Sequence, residues 1–392
     1  MRFNSPPAKA VANWVNNDVR VRQRRHPELA KDLYNQFGKS HRQRPIISTE
    51  NCSKTLCASQ FPPCSLCLIF IMATILILGA GLSGLSAARQ LQEQGHEVTI
   101  VDKGRGIGGR MATRRFEGGI FDHGAQFFTV RSEAFQAELE KWESQKVVGE
   151  WFQGFPTPDN RKPDDHYPRF RGTTGMTGIG KYLAQDLNVH LSTEIAALSY
   201  ENGGWTAKTA SGESFSSEKL LLTAPVPQSL ALLATSGVSL PTQARETLQS
   251  LHYEPCFALL VQLEKPSAIP APGAFFVEGE TIYWIADNSQ KGISSIAGSV
   301  TIHSSGTFAK QHYNDSEATV ASLLLDATKQ WLGSEPKSWQ LRRWRYSKPE
   351  NPINIGALHV PELNVCFAGD ALNGAKIEGA FTSGLKAADL LG

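Results

Sequence analysis

The most constraining feature of this chain is a glycine-rich turn, "GAGLSG", at residues 79–84. It follows a short apolar run, "TILIL", and opens a segment in which leucine and alanine recur at helical spacing until Gly95. A second apolar run, "EVTIV", comes next and ends just before Asp102. This order of strand, glycine turn, helix and strand, with an acidic residue about 20 positions on, predicts a βαβ unit that binds a dinucleotide.

Each glycine of the turn has a physical task in such a unit. Gly79 permits the tight turn, Gly81 lets the backbone approach a pyrophosphate, and Gly84 lets the helix pack close to the strand. The free N–H groups and dipole of the helix N-terminus favour phosphate, and Asp102 can accept from ribose hydroxyls. The predicted dinucleotide contacts in this unit are Gly79, Gly81, Leu82, Ser83, Gly84, Asp102 and Lys103.

Charge divides the 392 residues unevenly and argues against a nucleic-acid surface. The net charge is +2, but residues 1–71 hold 11 of the 39 lysines and arginines and only 4 of the 37 acidic residues. The remaining chain therefore carries 28 basic and 33 acidic residues. A mildly acidic body does not provide the basic face that neutralises phosphates along nucleic acid. Its 41% hydrophobic content is enough for a sizeable globular core.

Residues 1–71 are expected to be a disordered leader or a mis-assigned start, since they lack sustained periodicity. An Arg-rich, acid-poor leader is compatible with organelle import, but "MATILILGAG" at Met72 is also typical of the start of a cytoplasmic enzyme, which we favour. The apolar run from Leu66 to Leu78 has 13 residues, too few for a membrane helix of about 20. We therefore expect a cytoplasmic protein with no membrane partner.

The cysteines predict neither a metal site nor a disulfide framework. Cys64 and Cys67 have CxxC spacing, but a second such pair at zinc-knuckle spacing is missing. Cys256 and Cys366 stand alone in apolar contexts that are typical of buried thiols. We expect no metal.

A second glycine turn, "KGRGIGGRMATRR", follows Asp102. In a nicotinamide-binding domain a third strand usually follows instead. Gly108, Gly109 and Arg110 repeat the anion-binding chemistry, since backbone amides and a guanidinium can face phosphate together. Arg114 and Arg115 are also compatible with a solvated basic turn.

The chain closes on a strand, an acidic turn and a last helix, "VCFAGDALNGAKIEGAFTSGLKAADLLG". Gly369 and Asp370 lie between the strand and the helix, where the carboxylate can accept from sugar-like hydroxyls or cap the helix. Glu378, Gly379 and Ala380 are expected near the N-terminus of the last helix. For Glu378, helix-end electrostatics is as good an explanation as a cofactor contact.

These motifs together resemble the renalase-like flavoproteins of the flavin-containing amine oxidase superfamily. The similarity runs through "DHGAQFF" at 122–128, "GMTGIGKYLA" at 175–184, "APVPQ" at 224–228, "YEPCFALL" at 253–260 and "WRYSKP" at 344–349 to the closing segment. The resemblance implies FAD as the cofactor and covers about residues 72–392. The further cofactor contacts that it and the second glycine turn imply are Gly109, Arg110, Met111, Ala125, Gln126, Phe127, Ile195, Gly369, Asp370, Glu378, Gly379 and Ala380.

The resemblance also implies a reaction. Relatives of this kind oxidise isomeric dihydro-NAD(P) to NAD(P)+, with oxygen as the acceptor and hydrogen peroxide as the product. The alternatives are an amine oxidase or desaturase of the same fold, and a non-catalytic escort protein. Apart from oxygen, the expected partner is a small molecule, either a dihydronicotinamide dinucleotide or an amine. Candidate substrate contacts are His252, Tyr253, Trp284 and His303, although such residues are often simply packed in a core.

We expect an α/β fold with two domains. The first is a Rossmann-type FAD-binding domain, discontinuous in sequence, formed by residues 72–130, 172–226 and 346–392. The second is a smaller α+β substrate domain formed by residues 131–171 and 227–345.

Overall fold

A six-stranded sheet carries the first glycine turn at its carboxyl edge. The computed structural model describes residues 72–154 and 166–392. The strand order is β17-β18-β11-β1-β2-β7, and all neighbours are parallel except β17 and β18. Four of the five residues of β1 are buried, which explains its unbroken apolar sequence. The strands are β1 (Thr74–Leu78), β2 (Glu97–Val101), β7 (Asn188–His190), β11 (Lys219–Leu222), β17 (Ala357–Val360) and β18 (Val365–Ala368).

Two helices from opposite ends of the described chain pack against each other beside this sheet: α1 (Leu82–Glu93) and α9 (Ile377–Leu391). The Ser83 hydroxyl donates to the Ala380 carbonyl at 2.7 Å. A Cβ on Gly384 would stand 2.1 Å from Ser86 Oγ, so the helices approach too closely for a larger residue there. The N-terminal turns of α1 and α9 are therefore held side by side.

The second large sheet is antiparallel, with the order β13-β14-β15-β12-β16. Its apolar face packs on the helix α7 (Glu317–Leu332), which begins at the Ser316 cap and ends at the left-handed Gly333. The strands are β12 (Tyr253–Leu263), β13 (Ala274–Phe276), β14 (Ile282–Asp287), β15 (Ser299–Ser304) and β16 (Pro336–Pro349). The sequence "ISSIAGSVTIH" suggests a longer β15. The Ser294 hydroxyl instead accepts from the Ile296 amide, and the Ser299 hydroxyl donates to the Ile296 carbonyl, so the chain turns before the strand begins.

The remaining elements connect these layers. A hairpin with Gly203 and Gly204 at its turn joins β8 and β9, and the Ser132 hydroxyl caps α2. The other strands are β3 (Thr113–Phe116), β4 (Gly119–Asp122), β5 (Val148–Gln153), β6 (Pro168–Gly172), β8 (Ile195–Glu201), β9 (Gly204–Thr209) and β10 (Ser214–Ser217). The other helices are α2 (Glu133–Ser144), α3 (Thr177–Leu183), α4 (Val226–Thr235), α5 (Thr242–Gln249), α6 (Gly306–Gln311) and α8 (Asp370–Asn373).

The α/β fold with a Rossmann-like unit is confirmed, and the domain boundaries stay a prediction. The leader, with Cys64 and Cys67, lies outside the described residues. Within residues 72–154 and 166–392, no helix combines the length and apolar character needed to cross a membrane. The same residues contain no cluster of three or more His, Cys, Asp or Glu side chains arranged to hold a metal.

Candidate functional site

A cavity of about 1310 Å³ lies at the carboxyl edge of the parallel sheet. Leu78, Val101 and Leu222, which end three adjacent parallel strands, contribute to one wall. Strands of the antiparallel sheet contribute Trp284 and His303 to another. This edge is where open α/β sheets bind ligands, and the volume exceeds the upper range of about 1,000 Å³ for ordinary small-molecule pockets.

The first glycine turn behaves as its sequence predicts. Gly79 has φ +123°, and a Cβ there would stand 2.4 Å from Thr223 Oγ1. A Cβ on Gly84 would stand 2.1 Å from the Gly79 carbonyl oxygen. Gly81, by contrast, lines the cavity, and its Cβ would meet nothing within 4 Å. Gly79 and Gly84 therefore shape the turn, and Gly81 keeps space open above it.

Asp102 supports the same turn from the end of β2. Its Oδ2 accepts from the Ala80 amide at 2.7 Å, and its Oδ1 accepts from the Gly104 amide at 2.6 Å. The residue also lines the cavity. Each carboxylate oxygen retains acceptor capacity after one bond, so the predicted contact with ribose hydroxyls stays open to it.

Arg110 and Asp370, predicted separately as cofactor contacts, bind each other. Two bonds join the guanidinium to the carboxylate, Nη2 to Oδ1 at 2.6 Å and Nη1 to Oδ2 at 2.8 Å. Burial opposes the charge on Arg110, but the carboxylate outweighs it and raises the pKa of Arg110. Both residues line the cavity. The pair ties the second glycine turn to the closing acidic turn, 260 positions along the chain.

The "GAQ" turn is built directly onto the second glycine turn. The Ala125 amide donates to the Arg110 carbonyl at 2.8 Å. A Cβ on Gly124 would stand 2.0 Å from that same carbonyl oxygen, so glycine is required there. Gln126 lines the cavity, and its Oε1 is buried without a partner among the described residues.

An aromatic wall forms the part of the cavity nearest the antiparallel sheet. The ring of Trp284 lies 4.7 Å from that of Phe276 and 5.4 Å from that of Phe127. Trp284 on β14 is directly paired with His303 on β15, so both side chains share one face of the sheet. Trp284 Nε1 and His303 Nε2 are buried without partners in the described part of the chain. Neither atom therefore has its hydrogen-bonding capacity used within the described residues.

Two histidines in this wall are held in the neutral form. Burial, followed by the nearby Arg342 and Arg114, lowers the pKa of His123 to about 4. Burial, followed by His123, lowers the pKa of His303 to about 4 as well. His123 also stacks on Trp344, with ring centroids 5.4 Å apart. Near neutral pH the wall thus presents uncharged imidazoles.

These shifts predict a loss of stability in acid. Because an unfolded histidine takes up a proton near pH 6.5 and the folded His303 does so only near pH 4, the free energy of unfolding should fall as pH drops between those values. Each histidine can contribute about 3 kcal/mol to the fall. Urea unfolding at a series of pH values should show a smaller decline for His303→Asn. The exposed His252 provides the control, since His252→Asn should leave the decline unchanged; an equal decline in both variants would contradict the prediction.

Most of the predicted cofactor contacts lie in the cavity wall. They are Gly79, Gly81, Leu82, Ser83, Asp102, Lys103, Gly109, Arg110, Met111, Ala125, Gln126, Phe127, Ile195, Asp370 and Ala380. Gly84, Gly369, Glu378 and Gly379 are not in that wall. The structure thus brings residues of the first glycine turn and of the closing segment to one site. Their contacts with FAD stay predictions.

Two residues of the last helix have structural roles, and their contact with the cofactor stays a prediction. The Glu378 carboxylate accepts from the Arg131 amide at 2.9 Å and from the Ser132 amide at 2.8 Å, which anchors the start of α2. A Cβ on Gly379 would stand 2.1 Å from the Gly374 carbonyl oxygen, so this glycine permits close packing. The side chain of Glu378 therefore anchors α2, and it does not line the cavity.

The candidate substrate contacts divide into two pairs. Trp284 and His303 lie in the cavity wall, whereas His252 is exposed at the start of β12 and outside it. Tyr253 is also outside the wall; its ring lies 5.9 Å from the Arg110 guanidinium, and burial raises its pKa to about 12. Whether a residue of the antiparallel sheet lines the cavity depends on its position along its strand and on how that strand pairs with its neighbours. His252 and Tyr253 are thus not supported as substrate contacts.

Cys256 differs from its prediction as a buried core thiol, because it lies in the cavity wall and is only partly buried. Burial of the sulfur nevertheless raises the pKa of Cys256 to about 12. Cys366 is buried, as expected. A thiol with a raised pKa has little thiolate and is a poor nucleophile.

The residues present fit the FAD that the sequence predicts. The open space above Gly81 and the adjacent N-termini of α1 and α9 suit a pyrophosphate. The unpartnered Gln126 Oε1, Trp284 Nε1 and His303 Nε2 suit the polar edges of a ring system and its substrate.

Comparisons with known proteins agree with this geometry. Residues 77–141 match the NAD(P)-binding Rossmann-like domain, and residues 140–391 match the flavin containing amine oxidoreductase family. Renalase of Mus musculus is 25% identical over 343 residues, which cover 82% of this chain and 99% of renalase. A 4,4'-diapophytoene desaturase of Staphylococcus aureus is 48% identical, but over only 50 residues, 13% of this chain and 10% of the desaturase.

Solved structures show the same fold. Putrescine oxidase bound to putrescine aligns with a TM-score of 0.58 and 13% identity, covering 82% of this chain and 99% of that one. The CLA-producing fatty acid isomerase of P. acnes aligns with a TM-score of 0.56 and 12% identity, covering 81% and 98%. The amine oxidoreductase match spans more than half of the chain. The protein therefore belongs to the flavin containing amine oxidoreductase family and is an FAD-dependent oxidoreductase.

Proposed function

We propose that this enzyme oxidises isomeric dihydronicotinamide dinucleotides, 2- or 6-dihydro-NAD(P), to NAD(P)+. Oxygen is the acceptor: the substrate loses a hydride, and this electron pair, two protons and one O₂ give one hydrogen peroxide. The similarity to renalase along nearly the whole of that protein supports this choice. We include a cytoplasmic location in the proposal.

The charge of the cavity wall is the observation that carries the proposal. Strand β16 contributes Arg343, Arg345 and Lys348 to the wall. Among the described residues, Glu254 is the only carboxylate that the antiparallel sheet contributes. Such a surface attracts the phosphates of a dinucleotide and repels a cationic amine.

The aromatic wall, which carries no charge, suits the nicotinamide ring that reacts. A dihydronicotinamide is uncharged, and the side chains of Phe127, Trp284 and His303 present apolar surface and neutral polar atoms to the cavity. His303 Nε2 and Trp284 Nε1 lack partners in the described residues, and we propose that they hydrogen-bond the carboxamide group. We assign these two residues to substrate orientation.

FAD would be held by the two glycine turns, Asp102, the Arg110–Asp370 pair and the N-terminus of α9. When bound, it supplies the acceptor for hydride and the group that oxygen reoxidises. The protein supplies binding and orientation.

An amine oxidase is the second candidate because the antiparallel sheet contributes an aromatic cluster, Phe276, Tyr283 and Trp284, to the cavity. Aromatic faces attract organic cations. The three β16 cations oppose that attraction, so the charge of the wall favours the dinucleotide.

Peroxide release and NAD(P)+ formation with a panel of substrates test the proposal. We expect both products, in equal amounts, from 2- or 6-dihydro-NAD(P) and neither peroxide nor aldehyde from primary or secondary amines. Peroxide release with amines alone would replace the proposed function with the second candidate.

Arg345→Gln should separate the two candidates further. Arg345 is exposed in the cavity wall, with its guanidinium 5.4 Å from the Tyr313 ring. Its loss should lower kcat/KM for a dihydro-NAD(P) isomer about tenfold at low salt, and added salt should shrink that difference. Lys337→Gln, an exposed change of equal charge on the same strand but outside the wall, is the control and should have no effect. A higher kcat/KM for Arg345→Gln would contradict the assignment.

A further inference from the structure

Lys291 is a fully buried lysine that lies outside the cavity wall. Its ammonium group donates to Asp122 Oδ2 at 2.6 Å and to the Gln126 carbonyl at 2.6 Å. The ammonium also lies 4.9 Å from the centre of the Trp151 ring. These three neighbours match the three donors of a lysine ammonium.

The Asp122 carboxylate is also fully hydrogen-bonded within the protein. Besides Lys291, its carboxylate accepts from the Thr113 hydroxyl and from the Met176 amide. Burial lowers the pKa of Lys291, and the carboxylate of Asp122 acts against that shift. The pair is completely enclosed, so its geometry is set by these partners and not by solvent.

Gln126 connects the buried Lys291–Asp122 pair to the cavity. Its Nε2 donates to the Asp122 carbonyl at 2.7 Å and to the Gly124 carbonyl at 3.2 Å. A flipped amide would set Oε1 against these two carbonyl oxygens, so the orientation is determined. The remaining Oε1 is buried without a partner in the described residues, and Gln126 lines the cavity. A buried acceptor kept in this way indicates a donor supplied by a ligand.

We propose that Lys291 is a positioning residue for FAD: it holds the Gln126 backbone so that the Gln126 side-chain oxygen accepts from an N–H group of the bound flavin. Lys291 itself does not touch the cofactor. The inference rests on the FAD cofactor of this family and on Gln126 as a contact, and is independent of which substrate the enzyme oxidises.

Affinity for FAD, measured by titrating the FAD-free full-length chain, tests this role without any substrate. Lys291→Met alone leaves a buried unpaired carboxylate, so the informative variant is Lys291→Met with Asp122→Asn, which removes both charges. We expect its FAD dissociation constant to rise about tenfold, the loss of about one hydrogen bond, with an altered absorbance spectrum of the bound flavin. Lys310→Met, which removes a partly exposed ion pair with Glu350, should change neither quantity.

A cycle with Gln126→Leu shows whether Lys291 acts through Gln126. Gln126→Leu should also weaken FAD binding about tenfold, and adding it to the charge-free pair variant should weaken binding no further. Two results would overturn the inference: unchanged FAD affinity in Gln126→Leu, or losses that simply add. The FAD affinity of Gln126→Leu can be measured even if the pair variant does not fold. Full affinity and an unchanged flavin spectrum in a folded pair variant would also overturn it.

Discussion

Gly81→Val is expected to weaken FAD binding at least about 100-fold while lowering the thermal stability of the FAD-free protein much less than Gly84→Val does. Gly81 lines the cavity, its φ of −79° is accessible to any L-residue, and a Cβ there meets no atom within 4 Å. A valine side chain would therefore extend into the space above the turn that a pyrophosphate needs, and its Cβ would meet no protein atom. FAD titration should show an affinity loss of at least about 100-fold, or roughly 2.7 kcal/mol.

Two further glycines make this result specific. Gly279→Val places a side chain in equally open space outside the cavity wall, so it should leave FAD affinity and stability unchanged. Gly84→Val forces a Cβ to within 2.1 Å of the Gly79 carbonyl oxygen and should lower stability by about 1–3 kcal/mol. FAD binding of normal strength in Gly81→Val would mean that the cofactor does not lie over this turn.

Arg110→Met should both destabilise the protein and weaken FAD binding. The carboxylate of Asp370 is only 12% exposed and would lose its bidentate partner, while the Arg110 side chain is 29% exposed. Partial exposure reduces the cost below that of a fully buried pair, so we expect a loss of about 2 kcal/mol in urea unfolding. FAD affinity should fall at least about tenfold, because a cation leaves the cavity wall.

Asp370→Asn completes the test of this pair. The double variant, Arg110→Met with Asp370→Asn, leaves no unpaired charge and should be more stable than the Arg110→Met protein. The partly exposed Lys310–Glu350 pair serves as the reference, and Lys310→Met should produce no measurable loss. Additive losses in stability from the two single changes would show that the pair does not couple these turns.

The parts of the site that were predictable from sequence are those formed within one short segment. The turn at 79–84, its helix and Asp102 are joined by bonds between near neighbours, such as Ala80 to Asp102. Their spacing along the chain therefore determines their geometry.

The parts that were not predictable join distant segments. Lys291 lies in a loop with no local motif, and its partner Asp122 is 169 positions away. Glu378 was open to either explanation, and only the position of α2, whose cap Ser132 lies 246 positions earlier, shows that it binds backbone amides. His252, just before β12, lies outside the cavity wall for a related reason, because the residues that face a cavity depend on the pairing and packing of the whole sheet.

Anaerobic mixing of the FAD-loaded enzyme with candidate donors tests the proposed reaction most directly. We expect 2- or 6-dihydro-NAD(P) to bleach the visible absorbance of the flavin rapidly, one equivalent per FAD, and readmitted oxygen to restore it with release of peroxide. Flavin that stays oxidised with these isomers but is bleached rapidly by an amine would contradict the proposed function.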